Sequence, residues 1–330
     1  MRTAFVYYLE FTDNNTIYFS LLKESIKSLI KYNYCYGSDI FVNVIGYSGV
    51  VSWDGDRHVA ESDILGIWYQ LKSLADKYNI NLIDISDDAL HYVELPVIVD
   101  LPINQINNKN TFNVNETTRL KIFNHKFTSY PEIIKKGYDR IIQLDADLIF
   151  YSENDFLFET DEIQNPDVIH FCRLTNSPSI EYIKFIIDAR SGNNTKLFNL
   201  INTKENRLSY LTAKKFIQGT INYNIDNFVN DIYNQGFWVS GGTGVFSKAF
   251  IEKHFRMLSF LNYFFSKDDE IVLMLYCFAN NIQIKTLDPS GLICLSKPSF
   301  DIKTHVAFHP CGYTEKINLI ANNFIINNNI

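Results

Sequence analysis

Two kinds of apolar stretch alternate through the first part of the chain. Three short segments, residues 3–9, 39–46 and 81–85, are rich in apolar residues of the kind found in buried strands, and the first is a continuous apolar, β-branched and aromatic run. Between these runs, apolar residues recur every three or four positions in two longer segments, one ending near Lys31 and one at 65–78. Strands and helices in this order are typical of right-handed crossovers. The pattern predicts an α/β fold with a mostly parallel central sheet flanked by helices.

A further predicted strand, residues 139–144, is followed by two carboxylates. Asp145 and Asp147 are separated by the small residue Ala146, and on a strand such a pair projects to one face. Two anions among apolar residues repel each other unless a cation, a proton or hydrogen-bond donors compensate the charge. Mn²⁺ or Mg²⁺ accepts carboxylate oxygens and keeps positions open for phosphates. The pattern predicts a metal site, and the alternative is a strand end that caps the following turn.

Ligands of such sheets bind beyond the carboxyl ends of the strands. We therefore predict that Tyr8, Leu9 and Thr12, at the end of the first strand and just after it, contact a nucleotide. Neither the Gly-x-Gly-x-x-Gly pattern nor a phosphate-binding P-loop occurs there. The phosphates must be held in another way, and the aspartate pair with its metal provides one.

Residues 104–110 are rich in asparagine and predict a surface loop, and a capping-box pattern at 113–116 predicts that a helix follows. Arg119 would lie on a face of this helix away from the core, where it would be solvated or contact a diphosphate. Residues 167–171 are predicted to form a strand. Residues 176–230 are predicted to be a long, mainly helical polar insertion without a recognisable chemical pattern.

Three later segments are candidates for the same site. The glycines of 241–244 would allow a ligand to approach the backbone, and the alternative is a bulged strand or a tight turn. The acids of 268–270 open an apolar helix, where the helix dipole and a capping box also favour them. His309 could complete a metal site begun by two carboxylates, although a single histidine is often structural. Lys316 could balance phosphate charge.

Composition narrows the class of protein. A chain of 330 residues with 46% hydrophobic content can bury a large core. The net charge of −7 and the absence of clustered Lys and Arg argue against a nucleic-acid partner. No apolar run reaches the roughly 18 residues of a transmembrane segment, and no signal peptide precedes the first strand, so we expect a cytoplasmic location. The five scattered cysteines are expected to be free thiols. The abundance of Asn and Ile is typical of an AT-rich genome and is compatible with a viral source.

Together these residues resemble the GT-A glycosyltransferases, above all the retaining, metal-dependent group that includes glycogenin and the lipopolysaccharide galactosyltransferases. Asp145-Ala146-Asp147 is similar to the Asp-x-Asp motif of that group, which binds the metal and the donor diphosphate. The segment from His309 to Gly312 is similar to its His-x-x-Gly motif, which implies that His309 is the third metal ligand.

The resemblance also implies donor contacts for Arg119, Gly242, Gly244, Gly312 and Lys316. Asp269 and Glu270 resemble the acidic helix start that contacts the transferred sugar, which makes them the candidate catalytic residues. The chain departs from the family pattern at Gly242, where the family has Asn, and in the spacing of Lys316 from the preceding glycine.

The resemblance implies a single large GT-A domain with C-terminal helical and loop additions. Its half at 1–165 would bind the nucleotide sugar and its half at 166–330 the acceptor. The activity would be metal-dependent transfer of a hexose, with retention, from a UDP-linked donor to a glycan, protein or lipid-linked acceptor. The alternatives are a sugar nucleotidyltransferase and a non-catalytic carbohydrate-binding protein on the same fold. A homodimer is compatible with the sequence.

Overall fold

The structure is a computed structural model that describes residues 1–10, 15–32, 38–45, 61–84, 129–153, 155, 157–158, 164–191, 225–255, 269–287, 293–294 and 306–310. Several predicted features lie outside these residues: the loop at 104–110, the capping box at 113–116, the middle of the 176–230 insertion, Thr12, Arg119, Asp268, Gly312 and Lys316.

The strands of the described residues are β1 (Thr3–Glu10), β2 (Ser38–Ile45), β3 (Asn81–Asp84), β4 (Arg140–Leu144), β5 (Ile149–Phe150), β6 (Val168–Asn176), β7 (Phe237–Ser247), β8 (Gln283–Thr286), β9 (Ile293–Cys294) and β10 (Ala307–Phe308). The helices are α1 (Asn15–Lys31), α2 (Glu61–Tyr78), α3 (Tyr130–Lys135), α4 (Ile180–Ser191), α5 (Ile225–Gln235) and α6 (Asp269–Ala279). A further helical segment covers residues 248–255.

Seven strands form one sheet in the order β3-β2-β1-β4-β7-β6-β8. Strand β7 runs antiparallel to both of its neighbours, and the other strand pairs of this sheet are parallel. The predicted α/β fold with a mostly parallel central sheet is confirmed. A second sheet has the order β5-β10-β9 and lies next in sequence to the aspartate pair, because β5 begins two residues after Asp147.

The apolar run of β1 is continuous because both faces of the central sheet are covered. On β1, Ala4 and Val6 belong to one buried cluster, whereas Phe5 and Tyr7 belong to the other. Helices α1 and α2 pack their apolar residues into the second cluster, and α3 to α6 pack theirs into the first. The sheet therefore lies between two helical layers.

Local patterns predicted most of these elements closely. Helix α1 ends at Lys31 as predicted, and α2 begins at Glu61, four residues before the predicted start. The predicted strand at 167–171 continues to Asn176, and both described ends of the 176–230 insertion carry helices, α4 and α5. Helix α3 was not predicted, because its six residues are too few to display a helical period.

Two further predictions concern cysteines and membranes. Cys172 and Cys277 are buried free thiols, as expected, and burial raises the pKa of the Cys277 thiol. Within the part of the chain that the structure describes, no helix has the length and apolar character needed to cross a bilayer.

Candidate metal centre

The two aspartates lie where β4 ends. All five residues of β4 are buried, and the pairing with β7 continues one residue further because the Asp145 N–H donates to the Gly242 carbonyl at 2.8 Å. The chain then turns, and the Leu148 N–H donates back to the Asp145 carbonyl at 3.2 Å. Asp147 therefore belongs to this turn. The prediction that both acids lie on one strand is wrong, because β4 ends at Leu144 and the turn that contains Asp147 brings the two carboxylates together.

Strand pairing brings His309 to the same place from the other end of the chain. In the small sheet, β10 pairs antiparallel with β5, with Ala307 opposite Phe150 and Phe308 opposite Ile149. The Tyr151 N–H also donates to the Val306 carbonyl at 2.8 Å. Because β5 begins just after Asp147, this register places the residue that follows β10 beside the aspartates. That residue is His309.

The three side chains form a compact cluster. His309 Nε2 lies 3.1 Å from Asp147 Oδ1 and 3.3 Å from Asp145 Oδ2. One ligand atom from each residue can be chosen so that all three lie within 4.8 Å of one another. The Asp147 side chain is 3% exposed, His309 12% and Asp145 30%, so the cluster is buried on one side and open on the other. This is the geometry of a site that a small cation could enter from the Asp145 side.

Gly242 provides the space for this cluster. A Cβ at this position would lie 2.5 Å from Asp145 Oδ2 and 2.7 Å from His309 Cε1, which are distances that real Cβ atoms do not show. Any side chain here would therefore displace two of the three candidate ligands. Two carboxylates and one imidazole are a donor set that suits Mn²⁺ and is compatible with Mg²⁺. The residues present fit the predicted divalent cation.

The electrostatics of His309 follow from its neighbours. Burial alone would lower the pKa of His309, but the charge of Asp147 and hydrogen bonds to both aspartates raise it well above 6.5. A protonated imidazole would compensate one of the two negative charges. A divalent cation would compensate both and would take a neutral imidazole as its ligand.

The acids at the start of α6 are not among the three candidate metal ligands. Asp269 is the first residue of α6, and Glu270 directs its carboxylate at β7. Glu270 Oε1 accepts the Gly241 N–H at 2.8 Å, and Oε2 accepts the Trp238 indole N–H at 3.0 Å. Glu270 thus binds the strand that borders the cluster. The catalytic roles of Asp269 and Glu270 stay predictions.

The glycine segment is part of strand β7, so the alternative of a tight turn is wrong, whereas the alternative of a bulged strand agrees with the register shift between β6 and β7. The missing side chains of Gly242 and Gly244 leave room for different groups, because a Cβ on Gly244 would lie 2.5 Å from the Phe171 ring. Packing against Phe171 is sufficient to explain why position 244 has no side chain. A donor contact at Gly244 stays a prediction.

The first strand contributes Tyr8 and Leu9 at its carboxyl end. Strands β1 and β4 are parallel, with Val6 opposite Gln143, so continuing this register brings Tyr8 level with Asp145. Tyr8 is half-buried, whereas the Leu9 side chain is packed in the core. Both stay predicted nucleotide contacts.

Two buried polar residues near the glycine segment of β7 carry no sequence motif. Gln143 is a buried amide in strand β4, and Tyr130 is a buried phenol in α3. The Tyr130 hydroxyl donates to Gln143 Oε1 at 2.9 Å, and Gln143 Nε2 donates to the Gly241 carbonyl at 2.5 Å. The available signal was the single amide within the run Ile141–Leu144, because a buried amide requires hydrogen-bond partners.

No family model matches the chain, and no curated protein matches it either. Its structure is similar to the galactosyltransferase LgtC in complex with donor and acceptor sugar analogs, with 13% identity, coverage of 94% of this chain and 87% of that one, and a TM-score of 0.43. Mouse xyloside xylosyltransferase 1, apo form, gives 12% identity, coverage of 94% and 98%, and a TM-score of 0.48. For the mannosyltransferase Ktr4p from S. cerevisiae in complex with GDP, the identity is 14%, the match covers 86% of this chain and 68% of that one, and the TM-score is 0.40.

Proposed function

We propose that the chain is a metal-dependent glycosyltransferase that moves a hexose from a UDP-linked donor to an acceptor hydroxyl. The observation that carries the proposal is the convergence of Asp145, Asp147 and His309 at the carboxyl edge of a mostly parallel sheet. Keeping the almost fully buried Asp147 ionised beside a second carboxylate is costly without a cation. A cation held there would have its open side towards solvent, where a diphosphate could reach it.

Each residue of the cluster has a definite task in this proposal. Asp145, Asp147 and His309 hold Mn²⁺ or Mg²⁺, which supplies positive charge for the nucleoside diphosphate that departs. Asp145 is the most exposed of the three and borders the open side. Gly242 leaves room for the ligands, and Tyr8 lies level with Asp145, where the nucleotide would enter.

The transfer breaks the bond between the anomeric carbon and the phosphate oxygen and forms a bond from that carbon to the acceptor oxygen. We propose retention, with the acceptor attacking from the face that the phosphate leaves. The departing phosphate oxygen then takes the proton of the acceptor hydroxyl. The support for retention is the resemblance of the sequence motifs. The assignment of the donor to residues 1–165 and of the acceptor to 166–330 belongs to the same proposal.

Calorimetry tests the proposal directly. A panel of nucleoside diphosphates, nucleoside triphosphates and nucleotide sugars is titrated with and without Mn²⁺. We expect UDP and a UDP-hexose to bind only when Mn²⁺ is present. We also expect Asp145→Ala and Asp147→Ala to abolish this binding while the circular dichroism spectrum is preserved. Unchanged UDP affinity in either folded variant would falsify the metal assignment.

The same panel separates the alternatives. A preference for nucleoside triphosphates would favour a sugar nucleotidyltransferase. Failure to bind any nucleotide with Mn²⁺ would favour a non-catalytic carbohydrate-binding protein. For the transferase, incubation with the bound donor should release UDP, and an acceptor should increase the rate of release.

A further inference from the structure

We propose that Gln143 and Glu270 are positioning residues of the metal centre, because they hold the Gly241–Gly242 segment of β7 against Asp145 and His309. The inference rests on the metal site of the proposed function. It assigns to Glu270 a task other than contact with the sugar, and it assigns a task to Gln143, which no sequence motif marks.

Strand β7 needs side-chain partners at this point because its ladder with β6 is interrupted. The register pairs Phe171 with Gly244 and Arg173 with Val239, and it shifts between these two pairs. Four residues of β7 therefore lie opposite a single residue of β6. In such a bulge, backbone groups lose their regular partners, and a buried N–H or carbonyl must find another.

The two positioning residues bind the two backbone groups of Gly241. Glu270 Oε1 accepts the Gly241 N–H at 2.8 Å, and Gln143 Nε2 donates to the Gly241 carbonyl at 2.5 Å. The two side chains come from different elements, α6 and β4. The Gly241 backbone is therefore held by one bond from each of two separate parts of the fold.

Each positioning residue is itself oriented by a buried aromatic side chain. The Tyr130 hydroxyl donates to Gln143 Oε1 at 2.9 Å, which directs the donor Nε2 towards Gly241. The Trp238 indole donates to Glu270 Oε2 at 3.0 Å, which directs Oε1 towards the Gly241 N–H. Tyr130 and Trp238 are both 0% exposed, and the bond from Tyr130 to Gln143 is buried away from water, whereas the bond from Trp238 reaches the partly exposed carboxylate of Glu270.

The next residue, Gly242, connects this arrangement to the ligands. Its carbonyl accepts the Asp145 N–H at 2.8 Å, and its missing side chain makes the space for Asp145 and His309. A shift of this peptide by a few tenths of an ångström would disturb the Asp145 backbone or reduce that space. A functional centre tolerates roughly 0.5 Å of displacement, and loss of a residue that orients a ligand typically costs about tenfold to hundredfold in metal affinity.

The test measures the dissociation constant of Mn²⁺ alone, from the electron paramagnetic resonance signal of free Mn²⁺, well below the midpoint of thermal unfolding. Glu270→Gln replaces one acceptor oxygen with a donor, and Gln143→Met removes the amide at nearly constant volume. We expect each to raise the dissociation constant by about tenfold to hundredfold. The matched controls are Glu132→Gln and Gln70→Met, at exposed positions of α3 and α2. In both controls the dissociation constant of Mn²⁺ should stay within about twofold of the wild-type value.

The outcomes separate this inference from the proposed function. If the wild-type chain does not bind Mn²⁺, the proposed function fails. If the wild type binds Mn²⁺ and the folded variants bind it equally well, Gln143 and Glu270 stabilise the fold alone and the positioning role is refuted. A lower midpoint of thermal unfolding with an unchanged dissociation constant is the signature of that result.

A milder variant covers the case in which either substitution prevents folding. Tyr130→Phe removes one hydroxyl and leaves the ring, so the Gln143 amide keeps its place but loses the bond that orients it. We expect the dissociation constant for Mn²⁺ to rise several-fold, by about the cost of one buried hydrogen bond. An unchanged value in Tyr130→Phe would count against the positioning role of Gln143.

Discussion

Replacing Gly242 by alanine tests the geometry of the metal centre with one added carbon atom. Gly242 does not have a positive φ, so alanine can adopt its backbone conformation, and the expected effect comes from the side chain alone. The new Cβ would begin 2.5 Å from Asp145 Oδ2 and 2.7 Å from His309 Cε1. To reach an ordinary contact of 3.4 Å, the carboxylate must retreat by about 0.9 Å and the imidazole by about 0.7 Å.

Both displacements exceed the roughly 0.5 Å that a functional centre tolerates. Inserting a carbon atom into a well-packed region costs about 1–3 kcal/mol. If the cluster recovers its metal-binding geometry only at that cost, affinity for Mn²⁺ falls about tenfold to hundredfold. The fold should persist, because the added Cβ meets the end of the Asp145 side chain, which is 30% exposed and can turn away.

The assay compares Mn²⁺ binding and thermal unfolding in Gly242→Ala and Gly244→Ala. The two positions lie on one strand, and each added Cβ begins 2.5 Å from a neighbouring atom, but at Gly244 that atom belongs to the Phe171 ring. We expect Gly244→Ala to lower the midpoint of thermal unfolding and to keep the wild-type affinity for Mn²⁺. Wild-type Mn²⁺ affinity in a folded Gly242→Ala protein would refute the reasoning. An equal loss of Mn²⁺ affinity in both variants would show that any disturbance of strand β7 weakens binding, and it would also refute the specific role of Gly242.

Three further predictions concern stability. Gly66→Ala should stabilise the fold by about 0.5–1 kcal/mol in chemical denaturation, because Gly66 lies within α2 with nothing near its Cβ position. Burial lowers the pKa of His254 below 6.5, so its contribution to stability is present above that pH and is lost as the pH falls below it. The midpoint of thermal unfolding should therefore fall less steeply between pH 7 and pH 5 in His254→Gln than in the wild type. Mn²⁺ at about 100 times its dissociation constant should stabilise the wild type by about 2.7 kcal/mol, and Asp147→Asn should abolish this effect in differential scanning calorimetry.

The sequence by itself determined the elements whose signal is local. The continuous apolar run of β1 and the helical period of α1 are set by residues that are neighbours in the chain, because a strand buried on both faces and a helix buried along one stripe each require a specific local pattern. It also marked Asp145 and Asp147, since two acids after a buried strand are expensive without a partner.

Only the tertiary structure decided which residues meet. His309 reaches the aspartates through the pairing of β5 with β10, and register between segments so distant in sequence is set by the whole fold. Gly242 and Gly244 look alike in sequence, yet one adjoins the candidate ligands and the other adjoins Phe171. The bonds that hold Gly241 likewise depend on a register shift between β6 and β7, which no local pattern encodes. Periodicity specifies which face of an element is buried, whereas the packing of distant elements specifies what each buried polar group binds.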